Sequence, residues 1–376
     1  MNYLLKILVV LSVTPIAMGV TEIPDTAGNV SSSGFTKLDF CNADGSLYAF
    51  NGLHLYRYSN AEQHFEIAFA GAGSVISEIW DPADFAFMSD SNNVFLSSGQ
   101  SMRVVYVDRM QGTAAEKSGL RRNYYSSASR YRDKQLFANG VGTVYNTIYL
   151  IDLNGQGMEK QVAAVSNNNS GAIAFDAADN LYLADFKPVF DGRKLGYVDV
   201  YRISRQQLDN FVADSNFAVV PELVVNNVLL AGSDSMVIDA NYDIYMSSYV
   251  GIAKIVPTSD ANNFTVSTVD GDIYAPPYGW PWPHLRFCGI TADIRNGRIY
   301  YGKSELDEST YVYTPYTLQE FQIPAAVNWS ADLNGDGIVD FYDLSLLYDK
   351  GDLNDDGNIN LADYAIFANQ WQNKAK

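Results

Sequence analysis

A sheet-forming unit recurs along the chain between about residues 35 and 326. Each copy has an apolar run, a short polar turn and a second run carrying an aromatic residue, and the clearest copy covers residues 172–183. The aligned aromatic residues are Tyr48, Phe95, Phe137, Tyr182, Tyr245 and Tyr300. Successive intervals between them are 47, 42, 45, 63 and 55 residues. A short repeat of this kind restricts the chain to stacked copies of one small antiparallel sheet.

A period near 45 residues, with four strands in each unit, is typical of a β-propeller. We therefore predict an all-β fold with six blades over residues 35–326. The two longest intervals place insertions in the fourth and fifth blades. The third copy is the weakest, so five or seven blades remain alternatives.

The repeated hairpin, with Asp176, Asn180 and Tyr182 in its clearest copy, resembles extracellular propellers of the NHL and gluconolactonase type. The resemblance rests on this hairpin and its period. It implies a fold and leaves the activity open.

Two acidic loops with one spacing lie close to the C-terminus. Oxygen-bearing side chains occupy loop positions 1, 3, 5, 9 and 12, glycine occupies position 6, and position 7 offers a backbone carbonyl. Calcium takes six to eight oxygen ligands in loops of this pattern. We predict two calcium ions, with ligands from Asp332, Asn334, Asp336, Ile338, Asp340, Asp343, Asp352, Asn354, Asp356, Asn358, Asn360 and Asp363.

An apolar helical pattern follows each loop, so residues 331–371 form a tandem loop-and-helix module with a small α-helical fold. This module resembles a type I dockerin. The resemblance implies a cohesin-type partner on a scaffold or surface protein and a place in polysaccharide degradation. The positions that read the partner hold Phe341, Tyr342, Leu361 and Ala362 instead of small hydroxyl residues.

The first nineteen residues have the pattern of a secretory signal peptide. Lys6 precedes an apolar run over residues 7–16, and Ala17-Met18-Gly19 offers a cleavage site. The run is short for a membrane span, so we expect a secreted or cell-surface protein without stable membrane insertion. A retained N-terminal anchor is the alternative. The remaining divisions are an N-terminal segment (20–34), the propeller (35–326), a linker (327–330), the dockerin-like module (331–371) and a tail (372–376).

The composition is acidic, with a formal net charge of −18. Residues 331–371 contribute nine aspartates and one lysine to that total, so much of the negative charge belongs to the predicted calcium loops. An acidic surface repels phosphate backbones, which argues against a nucleic-acid partner.

Two further features concern the propeller. Cys41 and Cys288 lie near its two ends in sequence, where they form either a disulfide across the closure or two separate buried thiols. A proline-stiffened segment presents Tyr278, Trp280 and Trp282, whose flat rings suit stacking against a sugar. A loop packed over the propeller's end is the alternative for this segment.

The sequence contains no nucleophile elbow, phosphate loop or paired-cysteine metal motif. Asp176, Asp239 and Asp293 recur at the end of the first strand of their units, where they either bond the turn backbone or converge as acid–base groups. We favour a non-catalytic binding protein that recognises an extracellular glycan or protein. The alternative is a carbohydrate-active propeller enzyme, a lactonase, lyase or glycoside hydrolase, and the catalytic residues of such an enzyme are unknown.

Overall fold

The computed structural model describes residues 20–25, 37–323 and 363–368, with gaps at 42–43, 79–81, 89–91, 99–101, 121, 131–134, 143, 153–157, 177, 190–194, 275–284, 295, 311 and 315. Within these ranges the strands form six antiparallel sheets arranged in chain order. The predicted six-bladed, all-β propeller is therefore confirmed.

The first three blades each contain four consecutive strands. Blade 1 has β2 (Lys37–Cys41), β3 (Ser46–Phe50), β4 (Leu55–Ser59) and β5 (His64–Phe69). Blade 2 has β6 (Pro82–Phe87), β7 (Asn93–Ser98), β8 (Val104–Asp108) and β9 (Thr113–Glu116). Blade 3 has β10 (Tyr124–Arg130), β11 (Gln135–Gly140), β12 (Asn146–Asp152) and β13 (Met158–Ser166).

The other three blades complete the ring. Blade 4 has β14 (Asn169–Phe175), β15 (Leu181–Pro188), β16 (Gly196–Ile203) and β17 (Glu222–Leu230). Blade 5 has β18 (Ser235–Ile238), β19 (Ile244–Ser247), β20 (Gly251–Val256) and β21 (Thr265–Gly271). Blade 6 has β22 (Leu285–Asp293), β23 (Arg298–Asp307) and β25 (Thr317–Gln322), while the short β24 (Val312–Tyr313) pairs with β23 beside the main sheet.

The outermost strand of blade 6 is β1 (Thr21–Ile23), which pairs antiparallel with β25. The ring therefore closes with a strand from the opposite end of the chain. This corrects the division at residues 20–34, because that segment contains a propeller strand. A local pattern could not reveal it, since β1 is three residues long and its partner lies about three hundred residues away.

The aligned aromatic residues all lie in the second strands of their blades and are buried, with exposures of 7% or less. One apolar cluster fills each of the six interfaces between neighbouring blades. A single blade would leave both apolar faces uncovered, so each blade is stabilised by its two neighbours.

The insertion predicted in the fourth blade is a short helix, α1 (Arg205–Ala213), between β16 and β17. It begins at Ser204, whose side chain accepts a hydrogen bond from the backbone N–H of Gln207. Leu208 and Phe211 are buried against the interface of blades 3 and 4. The helix therefore covers the outer part of this interface.

The first strand of each blade lies innermost, next to the first strands of the neighbouring blades. Side chains on these strands accept hydrogen bonds from the backbone of the next inner strand. Asp84 accepts one from Ser127 N (2.6 Å), and Thr291 Oγ1 accepts one from Phe40 N (2.8 Å). These bonds fix the inner strands at the axis, where the candidate sites lie.

Candidate ligand cleft and charged cluster

An open cleft of about 290 Å³ lies where the inner strands of blades 3, 4 and 5 begin. We call it the tyrosine cleft. Its lining comes from strand starts and from the turns at the same end of the propeller. The lining residues are Tyr125, Val141, Tyr145, Asn169, Ser170, Phe186, Gly232, Ser233 and Tyr249.

Three tyrosines give the cleft its aromatic character. Tyr125, Tyr145 and Tyr249 are 37%, 59% and 44% exposed, respectively. Tyr125 belongs to β10, Tyr145 directly precedes β12, and Tyr249 lies in the turn between β19 and β20. Among the residues that the structure describes, no lining residue carries a carboxylate, an ammonium, a guanidinium or an imidazole. The cleft is therefore suited to uncharged ligands with both apolar and polar surface.

A buried carboxylate supports one wall of the tyrosine cleft. Asp185 in β15 accepts hydrogen bonds from Asn146 Nδ2 (2.8 Å), Asn168 Nδ2 (2.7 Å) and Ser166 Oγ. These bonds hold the connection between β13 and β14 and the start of β12. Ser170 Oγ then donates to the carbonyl oxygen of Tyr145 (2.5 Å). The wall is thus fixed by hydrogen bonds before any ligand arrives.

The opposite wall depends on a glycine and a serine. Gly232 has a φ of +141°, and a Cβ added there would lie 3.0 Å from the ring of Tyr249. The carbonyl oxygen of Tyr249 accepts a hydrogen bond from Phe287 N (3.1 Å). Among the described atoms, Ser233 Oγ is buried without a hydrogen-bond partner. Because residue 232 is a glycine, the Tyr249 ring can pack directly against the backbone there. The hydroxyl of Ser233 is a polar group without a hydrogen-bond partner among the described atoms.

A second group of polar residues, which we call the channel cluster, lies near the axis. It consists of Lys37, Asp39, Asp84 and Asp234, from blades 1, 2 and the entry to blade 5. Lys37 is only 7% exposed, and its Nζ lies 3.0 Å from Asp234 Oδ1. The ion pair joins blade 1 to blade 5, which are not neighbours in the ring.

The electrostatics of the channel cluster follow from burial and from the proximity of its charges. Burial, and secondarily the Asp84 carboxylate, raises the pKa of Asp39 to about 7. Burial also raises the pKa of Asp84, partly offset by Lys37. Burial alone would lower the pKa of Lys37, but Asp234 and Asp84 raise it above its ordinary value. One carboxyl of the cluster therefore titrates near neutrality.

The aspartates predicted at the ends of the first strands bond their own turns. Asp176 Oδ1 accepts from Ala178 N (2.8 Å) and Asn180 N (2.9 Å). Asp239 and Asp293 accept equivalent bonds from backbone N–H groups two to four residues ahead. Each lies at the far end of its inner strand from the tyrosine cleft. The turn role is confirmed, and these carboxylates do not converge as acid–base groups.

The described residues contain little of the other predicted sites. The calcium ligands from Asp332 to Asn360 lie outside them, as do Tyr278, Trp280 and Trp282. Asp363 is described: it is buried and begins a helix over residues 363–368.

Cys41 and Cys288 are both buried thiols, so the disulfide is not formed. Gly289 packs beside Leu38 and Thr291 beside Phe40, which sets the register between β22 and β2. In this register the two cysteines are four residues apart along the strand direction, or roughly 13 Å at the usual rise. Cα atoms must be within about 7 Å for a disulfide. Of the two alternatives, the structure has separate thiols.

No sequence pattern predicted the tyrosine cleft or the channel cluster. One feature of the sequence could have indicated the cleft: Tyr145 and Tyr249 both lie in the turn between the second and third strands of their blades. Their blades are separated by blade 4, so only the closed ring brings them together. The ion pair of Lys37 with Asp234 joins residues 197 positions apart and has no local pattern.

No family model matches the chain, and no curated protein matches it. Solved structures with a similar fold include a gluconolactonase from Xanthomonas campestris, 11% identical over 81% of this chain and 89% of its own, with a TM-score of 0.49. Virginiamycin B lyase from Staphylococcus aureus is 10% identical over 81% and 88%, with a TM-score of 0.46. A luciferin-regenerating enzyme is 10% identical over 81% and 95%, with a TM-score of 0.49. Similarity at this level concerns the course of the chain and says nothing about activity.

Proposed function

We propose that this chain is a secreted, non-catalytic binding protein. Its propeller recognises an extracellular glycan or protein, and its C-terminal tandem loops form a calcium-dependent, dockerin-like module. That module attaches the propeller to a cohesin-type partner in a polysaccharide-degrading system. The observation that carries the binding role is the tyrosine cleft, an open site whose lining is aromatic and uncharged.

The positions of the carboxylates support binding over catalysis. The three aspartates that the sequence offered as acid–base groups are used by turn backbone instead. General acid–base catalysis needs a titratable group within hydrogen-bond reach of the substrate. In the part of the lining that the structure describes, tyrosine is the single titratable residue type.

The docking role is supported by the paired loops and by Asp363. In each loop, calcium would be held by the predicted oxygen ligands, and it would supply the charge neutralisation that lets several carboxylates pack together. Asp363 is buried at the start of its helix.

The docking role is tested by calcium-dependent capture. Wild type and a double variant, Asp332→Ala with Asp352→Ala, are immobilised and exposed to a panel of purified cohesin domains and to the secreted fraction of the source organism. Wild type should capture a partner in calcium and release it in chelator, and the double variant should capture none. A matched control, Asp260→Ala with Asp307→Ala, removes two exposed aspartates of the propeller and should behave as wild type. Equal capture by wild type and the double variant would contradict the docking role.

A second candidate function is enzymatic, and the channel cluster is the observation that favours it. Burial and the nearby Asp84 carboxylate raise the pKa of Asp39 to about 7, where a general acid or base works best. Sustained hydrolysis of aldonolactones by wild type, lost in a folded Asp84→Asn variant, would favour this alternative over the binding role.

A further inference from the structure

We propose that the tyrosine cleft binds neutral sugar rings of an extracellular glycan. The inference rests on the proposed binding function and deepens it, because it names the site and the ligand class. It does not depend on the segment with Trp280 and Trp282.

The chemistry of the lining matches a sugar ring. A pyranose has an apolar face of C–H groups and a rim of hydroxyls. Tyrosine rings present flat apolar surface with little conformational freedom to lose, which suits them to stack on the face of a sugar ring. Tyr145 and Tyr249 are exposed at the cleft, and Asn169 and Ser170 add amide and hydroxyl groups beside them.

The charge of the site selects neutral sugars over acidic ones. Carboxylate and sulfate groups are recognised chiefly by Arg and Lys, and the described lining residues include neither. The chain as a whole carries −18, which repels polyanions at long range. Uronate-rich and sulfated glycans are therefore poor ligands for this cleft.

The size and rigidity of the cleft set the length of glycan it can hold. A volume of about 290 Å³ lies near the lower end of the range for small-molecule sites, about 300–1,000 Å³. One or two rings fit, and a longer chain can leave through the open side. The bonds from Asp185 hold the wall in place beforehand, which reduces the ordering cost of binding.

Ser233 adds a specific hydrogen-bonding position. Its Oγ is buried and, among the described atoms, has no partner. The Oγ packs against Gly171 and is covered, so the Ser233 side chain must turn toward the cleft to meet a ligand. A hydrogen bond to a ligand hydroxyl then replaces a buried polar group that had no partner among the described atoms. We therefore assign Tyr145 and Tyr249 to stacking and Ser233 to hydrogen bonding with a sugar hydroxyl.

The test is titration calorimetry with cellotetraose, xylotetraose, mannotetraose and maltotetraose, with tetragalacturonate as the charged comparison. Wild type should bind at least one neutral tetraose. Tyr145→Ala and Tyr249→Ala should each weaken that binding about tenfold, which corresponds to ~1.4 kcal/mol. Tyr249→Phe should retain most of the affinity because the ring face is kept, and Ser233→Ala should weaken binding about threefold.

The matched control is Tyr242→Ala. Tyr242 is 47% exposed and follows the end of β18, whereas Ser233 of the cleft precedes the start of β18. The control residue therefore lies at the opposite end of the propeller from the cleft. It should bind as wild type does. If an alanine variant fails to fold, Ser233→Ala supplies a minimal change at the same site.

Three results would overturn the inference: no neutral tetraose binds wild type, tetragalacturonate binds more tightly, or Tyr242→Ala weakens binding as much as Tyr249→Ala. Capture of a calcium-dependent partner in the absence of sugar binding would overturn this inference and leave the docking role standing. Tyrosine-dependent sugar binding, combined with unchanged capture by the Asp332→Ala, Asp352→Ala protein, would overturn only the docking role.

Discussion

The buried Lys37 lies beside three half-buried carboxylates, those of Asp39, Asp84 and Asp234. Lys37 pairs with Asp234 at 3.0 Å, while the hydrogen bonds that Asp39 accepts from Phe87 N and Thr291 Oγ1 are long, at 3.4 Å. A buried ion pair contributes little net stability, but an unpaired buried carboxylate is costly. The hydrogen bonds to the Asp39 carboxylate are long, so ionising this carboxyl group is unfavourable. Protonation of Asp39 removes that unfavourable free energy.

The raised pKa of Asp39 makes the stability of the fold depend on pH. In the unfolded chain Asp39 titrates at its ordinary value of 3.8, and in the folded chain its pKa is about 7. The folded state therefore keeps a proton that the unfolded state has lost, so the Asp39 contribution is fully present below about pH 4 and is lost as the pH rises through about 7. Asp39→Asn should remove this contribution, which is on the order of a few kcal/mol.

The measurement is the melting temperature from about pH 5 to about pH 8, where linkage acts on Asp39. Wild type should lose stability across this range, and Asp39→Asn should lose less. Some slope should remain, because burial also raises the pKa of Asp84. Asp260→Asn, an exposed substitution, is the control and should follow wild type. Parallel curves for wild type and Asp39→Asn would contradict the assignment.

At the level of elements, the closure of blade 6 is the feature with the largest consequence. β1 covers the free edge of β25, and the residues after it add side contacts. Tyr58 Oη donates to the carbonyl of Pro24 (3.0 Å), and Phe65 N donates to Asp25 Oδ1 (3.2 Å). An uncovered edge strand offers unpaired backbone groups to other chains.

Deleting residues 20–25 should therefore lower the melting temperature by several degrees and promote association. The first effect comes from lost hydrogen bonds, and the second from the exposed edge of β25. Differential scanning calorimetry and light scattering at two protein concentrations measure them. Deletion of the tail at 372–376 is the control. An unchanged melting temperature would mean that β1 adds nothing to closure.

At the level of the whole molecule, we expect the propeller to fold without the C-terminal module, because an apolar cluster fills each of its six interfaces. The predicted calcium module has two short helical patterns in its sequence, and helices of that length are marginal alone. Its folding should depend on metal, and that of the propeller should not.

Chelation should therefore act on one part of the protein. Limited proteolysis in calcium should leave the chain intact, and in chelator it should cut within residues 327–371 and leave a propeller fragment. The Asp332→Ala, Asp352→Ala protein should be cut there under both conditions. A chelator effect on the melting temperature of the propeller fragment itself would show that calcium acts elsewhere.

The sequence by itself determined the repeated blade. The aromatic residue after each turn, from Tyr48 to Tyr300, predicted the second strand of every blade, and the turn role of Asp176 was predicted with it. These features are local, because strand alternation and turn chemistry depend on neighbours a few residues apart. For the same reason, the spacing of the predicted calcium ligands is a prediction that needs no structure.

Only the tertiary structure decided how the ring closes and which side chains meet. β1 with β25, Lys37 with Asp234, and the tyrosines of blades 3 and 5 are brought together by the closed ring. The state of the two cysteines also depends on the tertiary structure, because the register of β2 on β22 keeps their thiols apart. Contacts between distant segments depend on how six sheets stack around one axis, and no periodic pattern in the sequence encodes that geometry.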